Sequence, residues 1–369
     1  MPRGYISITR GWSEWVMPKH APAADRNFSM RLLARRLIGT CCVAAILGVG
    51  GQALAAGAPP PGMPPVGHTR LGIGSKNPGA FDRLTRHHHD VWLMFDMLGG
   101  SWVRWHGVST QIAKATSSHR IAMITLGVTR VSDRRKLSPG QLASGKADSI
   151  YLSYSSQANA AGVPVWIRPM QEMNGYWMSY CAFNANGTHR GASYSTSSYK
   201  HAFRRIAIIM RGGARAEINA GLHAAGLRQL QAPLSVAGIA PSGLVAMVWN
   251  PQGAGAPNVR GNQPHDYWPG KNYVDYVGDD LYAQGFRAYW KGMQPLYNYG
   301  KPFILGEWAP WGTDDPTFVS QVFNWVKTHP RTAALVYYDY SSTFDLGNKP
   351  RSLKAYRTLA ARTRFNTTA

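Results

Sequence analysis

Along most of the chain, short apolar runs end abruptly in polar residues and alternate with stretches whose apolar positions recur at helical spacing. Val163-Pro164-Val165-Trp166-Ile167 is the sharpest such run. It has the make-up of a strand buried on both faces, and it breaks into Arg168, Gln171, Glu172 and Asn174 before Gly175, Tyr176 and Trp177. The same pattern predicts strands at Leu71–Ser75, Trp102–His106, Arg120–Val128, Leu244–Trp249, Tyr273–Tyr282, Pro302–Glu307 and Ala333–Asp339. Helical spacing is predicted over Phe81–Val91, Gly140–Ala161, Pro316–Lys327 and Leu353–Ala361. Ser195–Met210 opens with hydroxyl caps and continues as an apolar stripe, and a Gly/Ala-rich helical stretch follows to about Leu230. Eight strands alternating with helices in one unit predict an α/β fold, a single (β/α)8 TIM barrel.

The N-terminal region reads differently. Arg31, Arg35 and Arg36 precede the apolar run Leu37–Val49 and then Ala53-Leu54-Ala55: a charged region, an apolar stretch too short for a membrane span, and small residues suited to cleavage. Residues 30–55 are therefore read as a secretory signal peptide, which predicts a secreted or periplasmic protein with no stable membrane span after its removal. A single N-terminal anchor is the alternative. Residues 1–29 are read as an extension or a misplaced start. Residues 56–67, AGAPPPGMPPVG, read as a Pro/Gly linker with no means of burying a core, leaving 68–369 for the barrel.

Charge and cysteine content narrow the picture. The whole chain carries 40 Lys and Arg against 18 Asp and Glu, a net charge of +22. Removing residues 1–56 takes away seven basic and two acidic residues, which leaves +17. Such a surface favours anionic surroundings. The basic residues are scattered and no nucleic-acid-binding motif accompanies them, so no nucleic-acid partner is expected. Cys41 and Cys42 fall in the signal, so Cys181 alone would remain, read as a small buried thiol rather than a nucleophile. No CxxC or HxxxH pair suggests a metal, and no cofactor is expected. His87-His88-His89 point to different sides of a helix and cannot share one ion.

Glutamate is the informative residue. After residue 56 only Glu172, Glu217 and Glu307 remain. Glu217 lies in a helical stretch beside Arg215, where an exposed ion pair is expected. The other two terminate apolar strands, where a barrel displays its chemistry. Two such carboxyls suit glycosidic bond cleavage, which needs a proton on the leaving oxygen and support for an oxocarbenium-like centre. Thirteen Trp and eighteen Tyr supply flat faces for sugar rings; Tyr176, Trp177, Trp249, Trp308, Trp311 and Tyr338 are the candidates, with about half expected to line the cleft.

IRPMQEMNGYW resembles the acid/base motif of glycoside hydrolase family 26, the β-mannanase family of the retaining clan A. Leu137–Val165, YWPGKNYVDYVGDDLY (Tyr267–Tyr282) and PFILGEWAPWG (Pro302–Gly312) are similar to further segments of that family, so the likeness covers most of 120–345. The resemblance implies a β-mannanase-like glycoside hydrolase, an endo-acting retaining enzyme with Glu172 as acid/base and Glu307 as nucleophile. Tyr282 would donate to Glu307 and hold it ionised and oriented. Arg168, Gln171 and Asn174 are candidate polar supports, with Arg168 alternatively paired to a buried acid such as Asp280. The chain departs from the family in three places: Gln171 stands where the family has His, Tyr337-Tyr338 where it has a Trp under the cleaved sugar, and Trp308 directly follows the nucleophile position. The expected partner is a polysaccharide, mannan or a related β-glycan, handled by a monomer. A β-glucanase or exopolysaccharide hydrolase is the alternative within the class, and a non-catalytic polysaccharide-binding barrel the alternative outside it.

Overall fold

The computed structural model describes residues 58–98, 107–130, 135–232 and 238–367. The segments read above as an extension and a signal peptide, and the strand predicted at 102–106, lie outside these. Eight strands, β1 (Arg70–Gly74), β2 (Val91–Leu98), β3 (Ile121–Arg130), β4 (Val165–Pro169), β5 (Val245–Trp249), β6 (Tyr276–Gln284), β7 (Phe303–Trp311) and β8 (Thr332–Tyr338), close into a parallel barrel in chain order. Each strand pairs with the next, and β8 returns to β1. The described residues contain no helix long and apolar enough to cross a membrane.

Seven strands fall where the apolar runs predict them. The second does not: it is Val91–Leu98, and the helix expected to reach Val91 stops much earlier. That helix, α1 (Pro78–Thr85), is capped by the Asn77 side chain and closed by Arg86 in the left-handed conformation. The His-Asp turn after it is pinned by Asp82, whose two carboxylate oxygens lie 3.1 Å from His88 Nδ1 and 2.7 Å from His89 Nδ1, with Arg120 also bonded to it. These histidines thus serve packing and turn geometry. Glu217 also differs from expectation: it accepts from the Ala214 N–H (2.8 Å) and caps its own helix instead of pairing with Arg215.

Two cores result from the strand pleat. Val91, Leu93, Met123, Trp166, Ala246, Val248, Tyr276, Ile304, Ala334 and Val336 fill the lumen. Alternate residues such as Val165, Ile167, Met247, Leu305 and Leu335 pack outward against the helices. The floor of the lumen corrects the linker reading. Trp166 Nε1 donates to the Pro61 carbonyl (2.9 Å), the Tyr276 hydroxyl donates to the same oxygen (3.0 Å), and Arg70 Nε reaches the Gly62 carbonyl (2.9 Å). A proline-rich segment cannot form its own core, but its carbonyls and the Met63 side chain, packed against the lumen residues, close the bottom of the barrel beneath Trp166.

One irregularity decides the chemistry of the opposite end. Opposite β6, Leu305 pairs with Asp279 and Glu307 with Asp280, so Gly306 is an extra residue in β7. Strict alternation from the lumen residue Ile304 would send Glu307 outward and Trp308 inward. The bulge reverses both. Gly306 is required there, because a Cβ on it would meet Asn250 Oδ1 at 2.2 Å.

Candidate active site

Glu172 lies just past β4, in a left-handed conformation (φ 51°) shared by Met170 (φ 49°). Such backbone is strained for a side chain of this size and persists only when its surroundings enforce it. Here the Glu172 N–H donates to the Asn250 carbonyl (2.7 Å), and the Gly175 N–H donates back to the Glu172 carbonyl (2.8 Å). The loops after β4 and β5 are then joined by the Tyr176 N–H to Ala256 carbonyl and Ala256 N–H to Asn174 carbonyl bonds (2.7 and 2.8 Å). The carboxyl of Glu172 accepts from Trp177 Nε1 (2.7 Å) on one oxygen and from the Gln252 amide on the other.

Across the mouth, Glu307 Oε1 accepts from Arg168 Nη1 (2.8 Å) and Oε2 accepts from the Tyr282 hydroxyl (2.6 Å). Arg168 is fully buried; its other terminal nitrogen donates to Asp280, and Nη1 also reaches Thr125 Oγ1 at 3.2 Å. Carboxylate oxygens of Glu172, Asp280 and Glu307 all lie within 4.8 Å of one another. The charge that offsets this crowding is the guanidinium of Arg168, wedged between two of the three. Burial, and then the neighbouring Glu307 carboxylate, push Glu172 up to about 7, against the opposing hydrogen bonds and Arg168. Asp280 is raised too, by burial first, with Arg168 opposing.

No family model matches the chain. Endoglucanase H of Acetivibrio thermocellus is 23% identical over 234 residues, 58% of this chain and 22% of that protein. The mannan endo-1,4-β-mannosidase of Bacillus subtilis is 26% identical over 174 residues, 46% of this chain and 38% of that protein. The chain therefore matches well under half the length of either. A modular endo-β-1,4-mannanase of Cellulomonas fimi, from glycoside hydrolase family 26, has a similar structure: TM-score 0.54 at 14% identity, covering 82% of this chain and 72% of that one. The fold is that of the family 26 mannanases.

On this barrel the predicted site residues fall into different places. Glu172 and Glu307 meet at the mouth. Arg168 and Tyr282 bond directly to Glu307, while Trp177 bonds to Glu172. Gln171 and Asn174 are buried supports: Tyr180 donates to the Gln171 carbonyl (2.6 Å), and Asn174 exchanges bonds of 2.8 and 2.9 Å with the Gln252 backbone. Of the six aromatic candidates, Tyr176, Trp177, Trp311 and Tyr338 are partly exposed at the rim. Tyr338 faces Tyr282 and Phe95 edge-on, and Trp311 faces Tyr282 at 5.5 Å.

Trp249 and Trp308 are the corrections. Both are fully buried on the helix side of the sheet. Trp249 packs on Trp268 and Tyr299, and Trp308 on Phe318, Phe323, Tyr337 and Tyr356. Trp249 points outward by ordinary alternation from Val248, and Trp308 because of the Gly306 bulge. Gln252 was not anticipated. It follows β5 directly, in the same position relative to an apolar run that singled out Glu172, so the same rule applied to Asn250-Pro251-Gln252 would have found it. Cys181 is buried 3.8 Å from Asn262 Oδ1, and burial pushes its thiol up, as suits an inert packing residue.

Proposed function

We propose that the protein is an exported, retaining endo-β-glycanase acting on β-1,4-mannan, with Glu172 as general acid/base and Glu307 as nucleophile. The observation that carries this reading is the separation of the two carboxyls, whose nearest oxygens are within 4.8 Å. Double displacement uses carboxyls about 5–5.5 Å apart, whereas an inverting enzyme needs about 6.5–9.5 Å to admit a water between them.

The surroundings fit those roles. Glu172, pushed up to about 7, keeps a proton to deliver to the glycosidic oxygen as that bond breaks. Glu307, steered by Arg168 and Tyr282, attacks the anomeric carbon and forms the glycosyl-enzyme bond. Its negative charge is consumed in that ester, so one of the influences holding the proton on Glu172 disappears. Glu172 then takes a proton from water, which attacks the same carbon and releases the sugar with its original configuration. Trp177 and Gln252 support the ionised form needed at this second step.

Mannan is preferred as substrate because the Bacillus subtilis and Cellulomonas fimi relatives are named for it. A β-glucanase is the second reading, supported by the likeness to Endoglucanase H. Purified protein assayed on mannan, glucomannan, mixed-linkage glucan and xylan separates the two. Glu172→Gln and Glu307→Gln should each lose turnover by orders of magnitude while still retaining polysaccharide. A non-catalytic barrel would bind equally well in all three forms and release no reducing ends.

A further inference from the structure

The β6–β7 ladder continues well past the carboxylates. Beyond Asp280 and Glu307 it runs through Leu281/Trp308, Tyr282/Ala309 and Ala283/Pro310 to Gln284/Trp311. Four residues at about 3.3 Å each carry it roughly 13 Å above the catalytic level. The chain then doubles back. Gln284 and Arg287 exchange backbone hydrogen bonds of 2.8 and 2.9 Å, and Gly285 and Phe286 form the tip, both left-handed, with φ of 51° and 64°.

A tight turn with two left-handed central residues ordinarily carries Asn-Gly or Gly-Gly. Phenylalanine in that position is strained, and the residue is 64% exposed. Tyr289, three residues on, is 55% exposed. Neither ring stacks on another among the described residues. The base of the loop is nevertheless anchored, since Trp290 packs on Phe318 at 5.7 Å. Strain and exposed apolar surface thus coincide between the Gln284–Arg287 backbone bonds and the Trp290 anchor. This stretch extends a wall which already presents Tyr282 and Trp311 above Glu307.

We propose that Phe286 and Tyr289 form a distal aromatic platform for the β-linked glycan chain, engaging sugar rings beyond those at the point of cleavage. The inference rests on the hydrolase reading above. Pyranose rings present C–H faces that pack on the electron-rich faces of aromatic rings. Two exposed rings at the end of the strand extension above the carboxylates suit an extended polymer better than a short oligosaccharide.

The test compares wild type with the double variant F286A/Y289A on long-chain β-1,4-mannan and on a short mannooligosaccharide. The kcat/KM for polymer should fall about tenfold more than that for the oligosaccharide, equivalent to about 1.4 kcal/mol of binding. F286G should shift the ratio in the same direction while raising Tm, because glycine relieves the turn; a purely structural residue would not separate the two readouts. If wild type is active and the ratio stays unchanged, the platform is refuted and the hydrolase stands. If the ratio is unchanged and the double variant instead converts a dimer to a monomer in sedimentation, the patch is a self-contact and the platform is likewise refuted. If wild type cleaves no glycan, the hydrolase reading fails, and the platform falls with it.

Discussion

Replacing Trp177 with Phe removes one N–H from Glu172 and leaves most of the local packing in place. The indole donates to Oε2 at 2.7 Å, while Gln252 keeps the other oxygen. A hydrogen bond to a charged group is worth about 1.5–3 kcal/mol, and 1.36 kcal/mol corresponds to about one pKa unit. The bond favours the carboxylate over the acid, so its loss raises the pKa. Trp177 is partly exposed and water replaces some of the lost stabilisation, so the lower end applies: a rise of about one unit, from about 7 to about 8. The measurement is kcat/KM against pH, whose alkaline limb reports the acid in the free enzyme. That limb should move up by about one unit whatever happens to the plateau.

The opposite perturbation checks the sign. Glu307→Gln removes a negative charge whose nearest oxygen is within 4.8 Å of Glu172. At an effective dielectric constant of about 20 that interaction is worth about 3.5 kcal/mol as point charges, or about 2.5 units. The charge is spread over two oxygens and Arg168 already offsets part of it, so the Glu172 pKa should fall by about one to two units. Carbon-13 NMR on labelled glutamate reads this directly, because the chain contains so few glutamates. An alkaline limb that stays put or moves down in Trp177→Phe, or a Glu172 pKa that rises in Glu307→Gln, would refute the account of how this carboxyl is tuned.

Two further outcomes are expected. Trp308→Ala should destabilise the fold by about 3–5 kcal/mol in urea unfolding, because its fully buried ring lies among four aromatics, with KM far less affected than in Trp311→Ala. Burial pushes Asp279 up from 3.8 to about 8, so the folded state holds a proton that the unfolded chain releases, and stability should fall as pH rises between those values; Asp279→Asn should flatten that decline in Tm measured across the range.

Much of the site was legible before any coordinates. Rarity of glutamate and the position of Glu172 and Glu307 at strand ends singled out the pair, and the abrupt change from apolar run to polar cluster located β4 and β7. Two kinds of residue resisted. Val91–Leu98 was missed as a strand because a short apolar run beside a helical pattern has no signature of its own until Arg86 and the Asp82 contacts end the helix. The six aromatics cannot be divided between cleft and packing from the sequence, because every tryptophan near a motif looks like a sugar platform in one dimension.

Sequence alone therefore determined which residues are capable of the chemistry and the alternation that builds a barrel, since composition and apolar periodicity are local properties. Tertiary structure decided which way each side chain points. The single extra residue at Gly306 turns Glu307 to the lumen and Trp308 to the helices, and the contact of the β4 and β5 loops brings Gln252 to Glu172. Both outcomes depend on register between strands distant in the chain, which no local pattern encodes.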